Sequence, residues 1–315
     1  MTPATRRPAR QAPSVVVVGS SNTDMILRVA RVPRPGETLL GGAFSTAAGG
    51  KGANQAVAAA RAGGHVALVA RLGTDSLGDA ALDGFRSEGI VLSGIVRDGR
   101  QPSGVALIFV GEDGENSIGV AGGANLRLSP RDVAAARPLI AAARVLLLQL
   151  EIPLATAEAA ATIAAKAGAQ VILNPAPAQP LPDSLIRKTT LLTPNETEAS
   201  VLAGFMVDDA PSATRAAAVL RERGARNVIV TLGANGAVVA TQAGSTWVPG
   251  FKVAAVDTTA AGDVFNGALA ARLAEGRPLI ESVRFAHAAA AISVTRPGAQ
   301  PSIPTRREIN ALLSP

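Results

Sequence analysis

The stretch "VDTTAAGDVFNG", residues 256–267, sets one carboxylate, Asp263, behind a run of very small side chains where a helix-like pattern begins. A carboxylate is stabilised at such a place because the first backbone N–H groups of a helix lack partners and the helix dipole favours negative charge. Asp263 is therefore read first as a helix cap, and only the rest of the chain can give it another role.

Other stretches carry chemistry of different kinds. In "AAGGKGANQA", residues 47–56, the glycines around Gly50 allow close backbone approach, Lys51 supplies a charge, and Asn54 can donate and accept at a helix start. This is not a Walker A loop, since Gly52 follows Lys51. "GSSNTD", residues 19–24, follows the first strand directly and lacks a dinucleotide fingerprint. Asn22 and Asp24 could simply turn the chain. Alternatively Asp24, expected at the carboxyl end of a central strand, accepts hydrogen bonds from paired hydroxyls, because two carboxylate oxygens suit a vicinal diol. Glu151 closes "VLLLQLE", where an ionised group after a buried strand is costly unless it enters a crevice or finds partners. Helix capping does not explain it.

Asn195 and Glu198 in "TPNETEAS" have capping-box spacing. The sequon Asn195-Glu196-Thr197 is discounted without a secretory signal. In "TLGANGA", residues 231–237, Gly233 and Gly236 turn the chain between two β-rich runs. His287 sits in the Ala-rich "RFAHAAAAISV" and reads first as a packed histidine. His65 is the only other one, so neither a His-rich metal site nor a Ser-His-Asp triad can be argued.

These residues need elements to position them. Short β-rich runs ("SVVVVG", "HVALVARLG", "RVLLLQLE", "QVILN", "TTLLTP", "NVIVTLG", "GAVVAT") alternate with Ala-rich helical stretches at 51–63, 76–88, 155–168 and 196–204. Nearly continuous apolar strands with crossover helices predict an α/β fold, a mainly parallel sheet covered on both faces. Residues 24–46 and 102–121 break this rhythm as strand pairs without an intervening helix, and are expected to form a small accessory sheet over the binding crevice.

Composition removes several classes of function. The chain of 315 residues has no cysteine, which excludes disulfides, thiolate metal sites and Cys catalysis, and suits a reducing cytoplasm. Arg6, Arg7 and Arg10 of the polar leader, residues 1–13, supply three of the +6 net charges, leaving +3 for the body. With no Tyr and one Trp, a nucleic-acid surface is poorly supported. The leader has no apolar signal region and is expected to be disordered, and no apolar run approaches the roughly 20 residues that span a membrane.

Taken in order, "GSSNTD", "GGKGANQA", "QLE", "NPAPA", "TPNETEA", "TLGANG", "VDTTAAGDVFNGALA" and "FAHAAAAISVTRPGAQPSIP" resemble the ribokinase family, the large group of sugar kinases that includes fructokinases and adenosine kinases. The resemblance spans residues 14–313. It implies a doubly wound, ribokinase-like α/β domain with a small β-sheet lid, and a homodimer whose lids pack together. It implies that Asn22, Asp24, Gly50, Lys51, Asn54 and Glu151 bind sugar hydroxyls, and that Asn195, Thr231, Gly233, Gly236, Gly262 and His287 line an ATP site. Glu198 would help organise Mg²⁺ through water. Asp257, Thr259, Ser293, Arg296, Gly298 and Ser302 match positions around an activating K⁺, largely through backbone oxygens.

The implied reaction is ATP-dependent phosphorylation of the sugar's primary hydroxyl, ribose 5-phosphate being the product if the sugar is ribose. Asp263 would take the hydroxyl proton, and backbone N–H groups of Ala260, Ala261, Gly262 and Asp263 would form an anion hole. Deoxyribose, fructose or a nucleoside are alternative acceptors, and a non-catalytic sugar sensor on the same fold is the alternative outside catalysis. Three positions depart from the pattern. Ala234 stands where many relatives are polar, Ala260 replaces a Gly common in the wider family, and Pro297 stiffens the cation loop.

Overall fold

Val15–Val18 (β1) has all four valines at 0% exposure, which only a strand covered on both faces can achieve. The computed structural model describes residues 12–113 and 115–314, so most of the leader expectation, at residues 1–11, lies outside the described residues. Ala12 holds its carbonyl 3.2 Å from His65 Nδ1. After β1 come β2 (Asn22–Arg28), β3 (Ala43–Gly49), β4 (Val66–Gly73), β5 (Val91–Asp98), β6 (Gly104–Val110) and β7 (Asn116–Ala121). The later strands are β8 (Val145–Leu148), β9 (Gln170–Leu173), β10 (Leu191–Leu192), β11 (Asn227–Thr231), β12 (Ala237–Thr241) and β13 (Gly244–Val248).

Nine strands form the main sheet in the order β13-β12-β11-β10-β9-β8-β1-β4-β5, parallel from β11 to β5, with β12 and β13 added antiparallel. β5 and β13 lie outside the strands expected from sequence; both are only partly buried, and their sequences lack the continuous apolar run that marks their neighbours. The order reverses at β1, which pairs with β4 on one side and β8 on the other. Such a switch point opens a crevice beyond the carboxyl ends of the strands. "GSSNTD" leaves β1 there and "QLE" leaves β8 there.

A second sheet, in the order β3-β2-β6-β7, is built from the two helix-free regions. Its first strand begins at Asn22, directly after the β1 turn. Asn125 locks that turn, accepting from Ser21 N at 2.9 Å and donating to Asn22 Oδ1 at 2.7 Å.

The helices Lys51–Arg61 and Ala261–Ala274 cross closely on one face of the main sheet. Their contact runs through Ala58, Ala59 and Gly267, where a Cβ on Gly267 would fall 2.6 Å from Ala58 Cβ and 2.8 Å from Ala59 N. Only small side chains permit that approach. It carries Asn54 and Gln55 of one helix up to Asp263 of the other.

Candidate active site

Asp263 is the third residue of its helix and does not cap it. The residue before the helix, Ala260, makes no side-chain cap bond and adopts a left-handed backbone (φ 61°), the one non-glycine among the described residues with positive φ. The capping expectation is thus corrected: Asp263 Oδ1 accepts from Gln55 Nε2 at 2.9 Å and Oδ2 from Asn54 Nδ2 at 3.0 Å. Because nothing caps the helix, the N–H groups of Gly262 and Asp263 have no partner among the described residues. They are free to meet an anion.

The carboxylate is 6% exposed. Burial pushes Asp263 up, Lys51, Asn54 and Gln55 pull it down, and Glu151 pushes it up again, with burial prevailing. Lys51 responds in the opposite sense: burial lowers it, but Asp263, Glu151 and Glu198 outweigh burial and hold the ammonium above its usual range. Lys51 and Asp263 therefore belong to one electrostatic unit.

Asp24 requires a second correction. It lies within strand β2 of the second sheet, opposite Ala47 and Ala106, rather than at the end of a central strand, because β1 stops at Val18. Burial first, then Glu151 and Asp263, push its carboxyl up to about 6. Glu151 itself is held at the start of a distant helix, accepting from Lys51 N at 3.0 Å and from Ser20 Oγ at 2.5 Å. Capping thus does contribute to Glu151, but of the Lys51 helix, whose preceding residue Gly50 (φ 88°) has no side chain to do it. Gly50 packs on the main chain of Ser21 and Asn22. So the positions expected to bind sugar converge on Lys51 and Asp263.

Two cavities meet at the helix start. One, of about 180 Å³, is walled by Lys51, Asn195, Glu198, Gly262 and Asp263. The other, of about 250 Å³, is walled by Gly233, Ala234, Phe251, Val253, Ala290 and His287. Thr231, Thr258, Ala261, Gly262 and Phe265 line both, so a molecule lying in the apolar chamber can extend past the helix N-terminus to Asp263. A Cβ at Gly262 would meet nothing, which places that bare Cα at the open junction.

Asn195 and Glu198 form the expected capping box, Glu198 N donating to Asn195 Oδ1 at 2.8 Å and Asn195 N to Glu198 Oε2 at 3.0 Å. Both still wall the smaller cavity, so capping leaves them within reach of a ligand there. His287 packs its ring 5.0 Å from Phe265, its Nε2 lacks a partner among the described residues, and burial pushes it down to about 4, so it is neutral at physiological pH. Gly236 is the exception among the expected nucleotide contacts. It sits behind the cavity wall, where a Cβ would fall 2.1 Å from Val248 O.

The expected cation positions are drawn together. Asp257 N donates to Val294 O at 3.1 Å, while the Asp257 carboxylate accepts from Thr259 N at 2.9 Å and Gly298 N at 2.8 Å. Burial pushes Asp257 up, but these hydrogen bonds prevail and hold it below the usual carboxylate range. Ser293 and Ser302 spend their hydroxyls on Ala290 O and Ala299 O, and Arg296 turns to Glu308 at 2.6 Å. Their main-chain oxygens, rather than their side chains, are what they can offer an ion.

A family model described as pfkB family carbohydrate kinase matches residues 12–306. The chain belongs to this family. It is therefore a carbohydrate kinase. It is 48% identical to a ribokinase of Haemophilus influenzae, over 94% of this chain and 96% of that protein. A deoxyribokinase of Salmonella typhi is 38% identical, over 95% and 98%. The structure of Arabidopsis thaliana ribokinase complexed with ribose and ATP superposes with a TM-score of 0.89 at 36% identity, covering 96% of this chain and 99% of that one.

Sequence reasoning missed the groups behind the site: Ser20, Gln55, Asn125, Gln149 and Asn174. Their one signal was polarity inside otherwise apolar or small-residue runs, as with Gln149 in "VLLLQLE" and Gln55 in "GANQAVAAA".

Proposed function

We propose that this chain phosphorylates D-ribose at the 5-hydroxyl with ATP, using Asp263 as general base and, of the expected 260–263 anion hole, the free N–H groups of Gly262 and Asp263, since Ala261 N is spent on Thr258 O at 3.2 Å. One observation carries the reading: Asp263, Lys51 and an uncapped helix start wall a small polar chamber that opens into an apolar chamber closed by neutral His287. Nearly full-length identity to ribokinases supports ribose as acceptor and ATP as donor.

In the reaction the sugar oxygen attacks the γ-phosphorus, its proton passes to Asp263, and the bond to the β-phosphate oxygen breaks to release ADP. Asp24, Glu151, Asn54, Lys51 and the Asn22–Gly50 main chain hold the sugar. Charge building on the transferring phosphoryl group meets the free N–H groups of Gly262 and Asp263 and the Lys51 ammonium. The base supplies roughly 10²–10⁴ in rate, and electrostatic positioning the remainder.

Mg²⁺ fits the hard oxygens at Glu198 and Asn195. Among the described residues no group of three or more His, Cys, Asp or Glu could hold a metal, as suits an ion carried by water and phosphate oxygens. Its chemistry would be neutralisation of the phosphates. K⁺ fits between the 257–259 turn and the 293–302 loop, where main-chain oxygens are available next to the anion hole.

The lid strands expose Phe44, Leu107, Ile118 and Val120, each 52–66% accessible, and a homodimer packed through the lid would bury them. Among the described residues no helix is long and apolar enough to cross a membrane. A cysteine-free enzyme that consumes ATP is suited to the cytoplasm, with neither nucleic acid nor membrane as partner.

The test is an ADP-release assay over ribose, 2-deoxyribose, fructose and adenosine, with and without potassium. Ribose should be turned over fastest and potassium should raise the rate. Binding of a sugar with no phosphate transfer to any of the four would favour the sensor alternative.

A further inference from the structure

Gln55 is fully buried and belongs to neither cavity wall, yet every polar atom of its side chain is committed. Nε2 carries two hydrogens, one given to Asp263 Oδ1 at 2.9 Å and the other to Asn174 Oδ1 at 3.0 Å. Oε1 accepts from Gln149 Nε2, and Asn174 Nδ2 donates onward to Thr193 O at 3.3 Å. An ionised carboxylate only accepts, so its presence dictates the direction of the whole chain. Nε2 of Gln55 must face Asp263, Oε1 must face Gln149, and Gln149 must turn its own Oε1 away.

That last atom has no partner among the described residues. It lies where a Cβ at Gly19 would come within 2.0 Å, so a glycine is also required to leave it room. An interior built for packing alone would place apolar groups here and leave no orphan carbonyl. We propose that Gln55 is a positioning residue for the general base: with Gln149 and Asn174 behind it, it fixes the plane of the Asp263 carboxylate and favours its ionised form. The proposal rests on Asp263 being the base.

With Asn54 on Oδ2 and Gln55 on Oδ1, the carboxylate cannot rotate, and lone pairs remain for the hydroxyl proton. The charged groups facing it are Lys51 from the same helix as Gln55, Glu151 from the loop after β8, Asp24 from the lid and Glu198 from the helix Glu196–Ala203. Of these only Lys51 favours the anion. Three carboxylates and burial oppose it, so the neutral amides of Asn54 and Gln55 are the remaining support for a base that must start ionised.

The experiment compares wild type, Gln55→Met, Gln55→Glu and Asp263→Asn by kcat and sugar KM across pH, with folding followed by circular dichroism. Gln55→Met should lower kcat about 10- to 100-fold near neutral pH. Sugar KM should stay within about threefold, since the lost contact serves the base rather than the sugar. The acidic limb of the kcat profile should move up by about one pH unit as the carboxylate loses a donor. Gln55→Glu conserves volume but puts a second acid against Asp263, and should cost at least as much. A merely structural glutamine would lower the melting temperature and leave kcat per folded molecule and the acidic limb in place. That result in Gln55→Met, or in Gln55→Glu should the methionine variant not fold, would overturn the proposal. Full turnover by Asp263→Asn would instead remove the base assignment itself, so the two failures are distinguishable.

Discussion

Gly267 presses its bare Cα against the main-chain carbonyl of Gln55, so closely that a Cβ would fall 2.5 Å from that oxygen. The contact sits one helical turn beyond Asp263, and it sets how near the Lys51–Arg61 helix can bring its amides to the carboxylate. Gly267→Ala should force the helices apart. We predict a stability loss of about 1–3 kcal/mol from overpacking. We also predict a fall in kcat larger than the rise in sugar KM, because the base loses its alignment before the sugar loses its contacts. Denaturant unfolding beside steady-state kinetics checks both.

Asp263→Asn keeps the shape of the proposed base and removes its proton affinity. The variant should fold, bind sugar with near wild-type affinity, and lose about 10²–10⁴ in turnover. Stability should not fall, since a buried carboxylate that burial pushes up is replaced by a neutral amide. Calorimetric sugar binding together with single-turnover phosphate transfer separates affinity from chemistry.

The fold was legible where the physics is local. The apolar strands, their alternation with Ala-rich helices, and the two helix-free regions follow from burial on both faces and turn chemistry. The Asn195–Glu198 capping box was visible as spacing and formed as expected. What sequence could not supply was the partner of each polar group. Asp263 stood at a helix start, where capping is the local expectation, yet its hydrogen bonds come from residues more than 200 positions away. Glu151 likewise caps a helix 100 positions distant. Asp24 was misplaced because β1 is only four residues long and the second sheet begins immediately after the turn. Gln55 and Gln149 were overlooked because a buried amide carries no charge pattern and no motif spacing.

Asp24 links function to stability through pH. Its folded pKa of about 6 lies above the ordinary aspartate value of 3.8, so between those values the folded state holds more protons than the unfolded chain. Stability contributed by this group is therefore present at low pH and lost as pH rises towards 6. At about 1.4 kcal/mol per unit, and allowing for partial exposure, the loss amounts to about 1–2 kcal/mol. Asp24→Asn should recover that amount at pH 7.5, gain little at pH 4, and weaken sugar binding at both. Urea midpoints at the two pH values, set beside sugar titrations, give the comparison.

His287 works in the opposite direction over an overlapping window. Burial holds its folded pKa at about 4, below the usual 6.5, so the unfolded chain binds more protons between those values and stability rises with pH. His287→Phe fills the same apolar space without a titrating group. Its unfolding midpoint should fall less than that of wild type when pH drops from 7.5 to 5. Its KM for ATP should rise, because the larger phenyl ring changes the wall that His287 gives the larger cavity. The KM for ATP in wild type should then be insensitive to His287 protonation above pH 6, where the ring is already neutral. An ATP KM in wild type that steps near pH 6.5 and flattens in His287→Phe would show that the ring titrates in solution and is not held neutral by burial.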